Sequence, residues 1–270
     1  VDERVLPSFG ERLRSSLILV LLPLALLQWL PLEGFTLTVQ LPGFDLAQSV
    51  GLRTAGTLLV AGMAAAGMDW LIRSHPSGKR NTLPHLLLPF LTTLAIGSIL
   101  PSIPQGELWW VAFLFGALLL ALVFLAEFQA LDPSTPFFPL TAGGLTLLGG
   151  ILFLLVASSL RFVAMRLTLL LPMLGMLSFL LALRLFHLYL PQRWEIYWSA
   201  GIALLILELA APLHYWPVGV VSFGLMLAGP FYALFLVAIA VMEGNLRRWN
   251  VIEAALLVLG SWGMALWLSR

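Results

Sequence analysis

Residues 202 to 242 read IALLILELAAPLHYWPVGVVSFGLMLAGPFYALFLVAIAVM. Two long apolar stretches meet at a hinge, Pro212 to Pro217, and the run holds one carboxylate, Glu208, and one imidazole, His214. Each stretch is long enough for the roughly 20 residues that a helix needs to cross a bilayer. The stretch therefore predicts two spanning helices with a tight turn between them. The rest of the chain repeats that pattern.

Of the 270 residues, 60% are hydrophobic and 10% charged, where soluble domains carry about 25% charged residues. Too few polar side chains remain to make a water-facing surface, so a lipid bilayer is the expected partner. In lipid, a helix closes its own backbone hydrogen bonds. Strands of a spanning barrel would show alternating segments of about ten residues, and these are not found. The fold class is accordingly all-α, a polytopic transmembrane bundle of about nine helices, read as a single integral membrane domain over residues 1–270.

The expected helices are Ser15–Leu30, Ala47–Ile72, Leu83–Leu100, Leu108–Ala130, Pro139–Leu160, Leu167–Leu190, Ile196–Leu213, Val218–Met242 and Val251–Leu268. Charged residues 1–14 precede the first, which reads as a retained signal anchor. Residues 33–46 form a short extracytoplasmic loop. Within it Phe35, Leu37, Val39 and Leu41 alternate with Thr36, Thr38 and Gln40, which predicts an extended segment lying on the membrane surface. Glycine-rich faces at Gly51, Gly56, Gly62 and Gly67, and again at Gly143, Gly144, Gly149 and Gly150, predict close helix approach. Pro84 falls in the first turn of its helix, where proline is tolerated.

Positive charge resists translocation. Arg4, Arg12 and Arg14, the 73–80 loop, Arg193 and the 244–248 turn then lie inside, while 33–46 and 101–107, free of Lys and Arg, lie outside. The expected location is the plasma (inner) membrane with the N-terminus inside. Arg161 and Arg166 land outside and conflict with this rule.

An ionisable group in a spanning helix costs about 2.5–3.5 kcal/mol on insertion scales, so each needs an account. Asp69 and Arg73, and Glu243 and Arg247, have acid-first i,i+4 spacing and read as structural pairs. Glu127 and Arg184 lie at similar inner depth, which suits an ion pair between helices. His187 follows Arg184 by three residues and shares its face. With His85 these could line an inward-facing polar pocket. Glu208 is the deepest carboxylate, about 12 residues into its helix. Hydrocarbon disfavours an ionised carboxylate, so it reads either as an acid bonded to a backbone carbonyl or as a proton or cation site. Arg53 or Arg161 could supply a counter-charge. His214 sits with Tyr215 and Trp216 at an interfacial depth.

The four histidines form no HExxH and no close pair, so no metal site is expected. Zero cysteines exclude disulfides and thiolate chemistry within the chain. No nucleotide-binding or nucleophile-elbow motif occurs, and no cofactor is expected. A net charge of +1 does not suggest nucleic acid. Three function classes follow: a structural or accessory subunit of a membrane assembly, partnered by other subunits or by itself; a small proton- or ion-coupled transporter using Glu208; and a membrane enzyme acting on a lipid. The subunit reading leads, because small-residue faces and short loops dominate the polar signal.

Overall fold

The computed structural model describes residues 9–30, 35–41, 44–73, 75, 82–132, 134, 136–163, 166–190 and 193–269. Among these, the chain folds as nine α-helices and one β-hairpin: α1 (Phe9–Trp29), β1 (Phe35–Leu41), β2 (Phe44–Val50), α2 (Leu52–Ile72), α3 (Leu83–Ile99), α4 (Glu107–Gln129), α5 (Phe138–Phe162), α6 (Leu167–Tyr189), α7 (Ile196–Tyr215), α8 (Val220–Met242) and α9 (Arg248–Leu268). A single 3-10 turn, Leu100–Ser102, extends α3. The all-α bundle expected from composition is what forms, and α2 to α9 are each long and apolar enough to cross a membrane. α1 carries Glu11, Arg12 and Arg14 in its first two turns.

Two helix starts differ from expectation by more than one turn. α1 begins at Phe9 rather than Ser15, because the charged residues at its start continue the helical backbone. α2 begins at Leu52 rather than Ala47, because 44–50 are the second strand of a hairpin. The strands are antiparallel, with Phe35 opposite Val50, Val39 opposite Leu46 and Leu41 opposite Phe44. The extended segment of 35–41 was visible as period-two alternation. Its partner strand was hidden because FDLAQSV is as compatible with a helix start as with a strand, and the ladder that decides it is non-local.

The chain divides into two compact units, Val1–Pro133 and Ser134–Arg270. In the first, antiparallel neighbours α1 and α2 approach at Gly67, where a Cβ would lie 3.2 Å from Ser16 Cβ, and Ser16 Oγ donates to Gly67 O at 3.4 Å. Gly97 of α3 takes Thr57 of α2 against its bare Cα, and a Cβ on Gly116 of α4 would lie 3.0 Å from Ile96 of α3. The core that fills this unit includes Val20, Leu24, Val60, Met68, Leu120 and Phe124.

In the second unit α8 is central, packing against α5, α7 and α9. Phe231 of α8 stacks on Phe153 of α5 with ring centres 4.6 Å apart, and Phe235 of α8 tilts against Phe186 of α6 at 5.2 Å. Gly224 faces Ser158 and the Leu154 carbonyl of α5, and Gly229 faces Ser261 of α9. Trp262 Nε1 donates to Met226 O at 3.0 Å, tying α9 to α8 a turn away. Close approach through α5 therefore runs along Leu154 and Ser158. Nothing lies within 4 Å of a Cβ built on Gly143 or Gly144, so the expected glycine face of this helix is open at its start.

Candidate functional site

Polar side chains inside the apolar helices fall into three groups. The first is at the end of the N-terminal unit where α1 and α3 start and α2 and α4 finish. α3 and α4 run antiparallel, so the first turn of α3 lies beside the last turn of α4. That arrangement brings His85 to Glu127: Nδ1 and Oε2 are 2.8 Å apart, and the side chains are 11% and 0% exposed. An ionised carboxylate only accepts hydrogen bonds, so with Glu127 charged, Nδ1 is the donor. The dyad can hold a proton between two bases in a water-poor setting, and it fastens two helices.

Around it the same end is rich in aromatic and basic groups. Arg12 of α1 lies over the Trp70 ring of α2, 5.2 Å from its centre, and its Nη1 donates to Trp70 O at 3.5 Å. Phe128, next to Glu127, contacts the Phe9 ring at 4.4 Å and the His75 ring edge-to-face at 4.8 Å. Arg12 is itself buried. Its long apolar stem makes that tolerable, since the guanidinium retains a carbonyl and an aromatic face. The interactions of Arg12 with Trp70 had no counterpart in the sequence reading; the only signal was an arginine one helical turn before Ser16.

A second group lies on α6. Arg184 is fully buried and His187 half-buried, three residues apart on one face as their spacing requires. The His187 ring lies 5.6 Å from Trp194. Glu127 and Arg184, expected as a pair, belong to the first and second units respectively, and the partner that the structure brings to Glu127 within its own unit is His85.

The third group lies on α7. At its end, Arg161 from the last turn of α5 donates from Nη1 to His214 O at 2.8 Å and from Nη2 to Trp216 O at 3.3 Å. Its Nη1 also lies 3.4 Å from His214 Nδ1, and its guanidinium sits 5.4 Å from the centre of the Phe223 ring. A helix leaves its last carbonyls without intrahelical donors, and a cation there is favoured by the helix dipole. Arg161 is thus held by the end of α7. Arg161, whose expected place outside conflicts with the charge rule, is held here by carbonyls at the end of a neighbouring helix.

Glu208 is on the other side of that helix. It is exposed, between Leu204 and Leu205, which are 57% and 46% exposed, and Pro212 and Tyr215 further along. It makes no hydrogen bond or ion pair among the described residues, and Arg161 is committed elsewhere. Its place is roughly 18 Å from the start of α7 and 10 Å from its end at 1.5 Å per residue. Tyr197, Gly201, Leu204, Glu208, Pro212 and Tyr215 recur at three- and four-residue spacing and form one exposed stripe. Beside the first half of this stripe lies an apolar groove of about 340 Å³, bounded by Tyr197, Gly201 and Leu205 of α7 and by Leu234, Val237 and Ala238 of α8.

Among the described residues, no group of three or more His, Asp or Glu stands close enough to hold a metal ion. No curated protein and no solved structure matches the chain. Over residues 32–268, which hold every helix but the first, the chain matches and belongs to the family described as Protein of unknown function (DUF5656).

Proposed function

We propose that this chain is a multi-pass membrane subunit that works by helix packing within a larger membrane assembly. One observation carries the reading: the deepest carboxylate of the chain, Glu208, stands on the exposed side of α7 among leucines. A polar group facing hydrocarbon is costly, and in membranes such groups are met by neighbouring helices. α9 supports the same reading. It packs chiefly on α8, and only 11% of its apolar window is buried, so most of its surface is free to receive another helix.

Coupled transport through Glu208 would require water to reach it from each side in turn, and an outward-facing position among leucines does not favour that. Lipid chemistry at His85 would require access to a ring that is 11% exposed beside a carboxylate that is fully buried. Both uses have less support than an interface.

The test is the mass of the native particle, extracted from its own membrane in a mild detergent. Added polypeptide mass, whether another chain or a further copy, is the expected result. A particle holding one copy and no other polypeptide would overturn the reading. Glu208→Gln would then be assayed for loss of proton-coupled uptake.

A further inference from the structure

We infer that the α7 stripe centred on Glu208 is the contact surface for a second copy of this chain, with the two Glu208 side chains hydrogen-bonded to one another. The inference rests on the subunit reading above and names its partner.

Symmetry makes the argument. Two copies inserted the same way in one membrane are related by a two-fold axis along the membrane normal, and their α7 helices then run parallel. Such an interface is isologous: each residue meets its own equivalents. Glu208 of one copy therefore lies at the same depth as Glu208 of the other, with no second sequence to be matched. In hydrocarbon the uncharged acid is the cheaper form. A carboxylic acid carries both a donor and an acceptor, so two of them at equal depth satisfy each other completely. A heterologous self-contact lacks this property. The exposed arginines among the described residues, Arg14, Arg73, Arg166, Arg193, Arg247 and Arg248, stand in the first two turns of a helix or at and between helix ends, and none is exposed in mid-helix.

The stripe is shaped for close approach. Gly201 sits two turns before Glu208 with nothing within 4 Å of a built Cβ, so a neighbouring helix can come near the backbone there. The groove beside it, about 340 Å³, has room for a bulky apolar side chain from the facing copy. Tyr197 and Tyr215, 91% and 77% exposed, close the stripe at its two ends, at depths where tyrosine suits the membrane interface.

The chain has no cysteine, so a single introduced one reports only contacts between copies. Leu204→Cys, in native membranes under mild oxidation, is expected to yield a disulfide-linked dimer. Leu147→Cys, on the exposed side of α5 (64%), is the collision control and is expected to yield little. Added to Leu204→Cys, Glu208→Leu should weaken dimerisation on the order of tenfold, whereas Glu208→Gln, which keeps a donor and an acceptor, should preserve it. Equal cross-linking at Leu147, or no effect of Glu208→Leu, would overturn the inference. Native mass separates the two levels of the argument. A particle with a different polypeptide and one copy of this chain refutes the second copy and keeps the subunit reading. A lone copy refutes both.

Discussion

Nδ1 of His85 lies 2.8 Å from Oε2 of Glu127, joining the first turn of α3 to the last turn of α4 where the side chains are 11% and 0% exposed. Forty-two residues separate them in sequence. The contact exists because an antiparallel pair of helices returns the chain to the depth from which it left.

Removing one member of a buried hydrogen-bonded pair takes that bond from the other. His85→Ala is expected to destabilise the protein by about 1 to 3 kcal/mol, read as a fall in unfolding midpoint in detergent. The double variant with Glu127→Ala should cost less than the sum of the single variants, with a coupling of about 0.5 to 3 kcal/mol. Strict additivity would show that the two side chains do not act together.

Arg161 supplies donors to the His214 and Trp216 carbonyls at the end of α7. Arg161→Ala leaves these acceptors to other donors and should lower stability by about 1 to 3 kcal/mol. Arg161→Lys restores a charge but not a planar fork reaching both oxygens, so an intermediate midpoint is expected. A lysine variant as stable as the parent would reduce the role of Arg161 to charge alone.

A Cβ on Gly224 would collide with Ser158 Oγ and lie 2.9 Å from the Leu154 carbonyl; on Gly229 it would collide with Ser261. Gly224→Ala and Gly229→Ala should each cost about 1 to 3 kcal/mol through overpacking. Gly143→Ala and Gly144→Ala meet nothing within 4 Å and should be neutral or slightly stabilising, by up to about 1 kcal/mol from helix propensity. The contrast is the test, since all four are single-methyl additions. Similar losses at all four would remove close approach as the cause.

From the distribution of arginine, the N-terminus and the 244–248 turn are expected on the cytoplasmic side. Ser102→Cys, after the 3-10 turn that follows α3, should react with a membrane-impermeant thiol reagent on intact cells. Asn245→Cys, in the turn after α8, should react only once the membrane is opened. The reverse pattern would invert the topology. Labelling of both in intact cells would contradict an odd number of crossings between them.

Legibility differed by scale. The helix starts at 83, 167 and 196 were read to the residue, because in a chain this apolar each boundary is marked by a cluster of proline, glycine or charge. The start of α2 was misread because strand pairing between 35–41 and 44–50 is decided across the ladder. The close-packing glycines were read in part: Gly56, Gly67 and Gly149 do meet a neighbouring helix, Gly143 and Gly144 look like a packing face and meet nothing, and Gly224 and Gly229, not singled out, carry tight crossings in the second unit. Spacing says which residues share a helix face, but not which face meets a neighbour.

Candidate site residues followed this division. Their depth and helix face came from counting along the chain: Glu127 near one end of its helix, Glu208 in the middle, His187 beside Arg184. Their company did not. His85 was placed in one pocket with Glu127, Arg184 and His187, and the contact it makes there is with Glu127; His214 was read as an interfacial residue and proves to be where Arg161 grips α7; Glu208 was read as an acid bonded to a backbone carbonyl or as an ion site, and it stands outward with no hydrogen bond among the described residues.

By itself, then, the sequence determined a helical bundle, the nine helices found among the described residues and how far along its helix each polar group stands, since these depend on composition and on a fixed rise of 1.5 Å per residue. Only the tertiary structure decided which polar groups meet and which face out. Helix packing is chosen by side-chain shape across elements distant in sequence, and a helical period alone is equally satisfied by every rotation of the helix about its own axis.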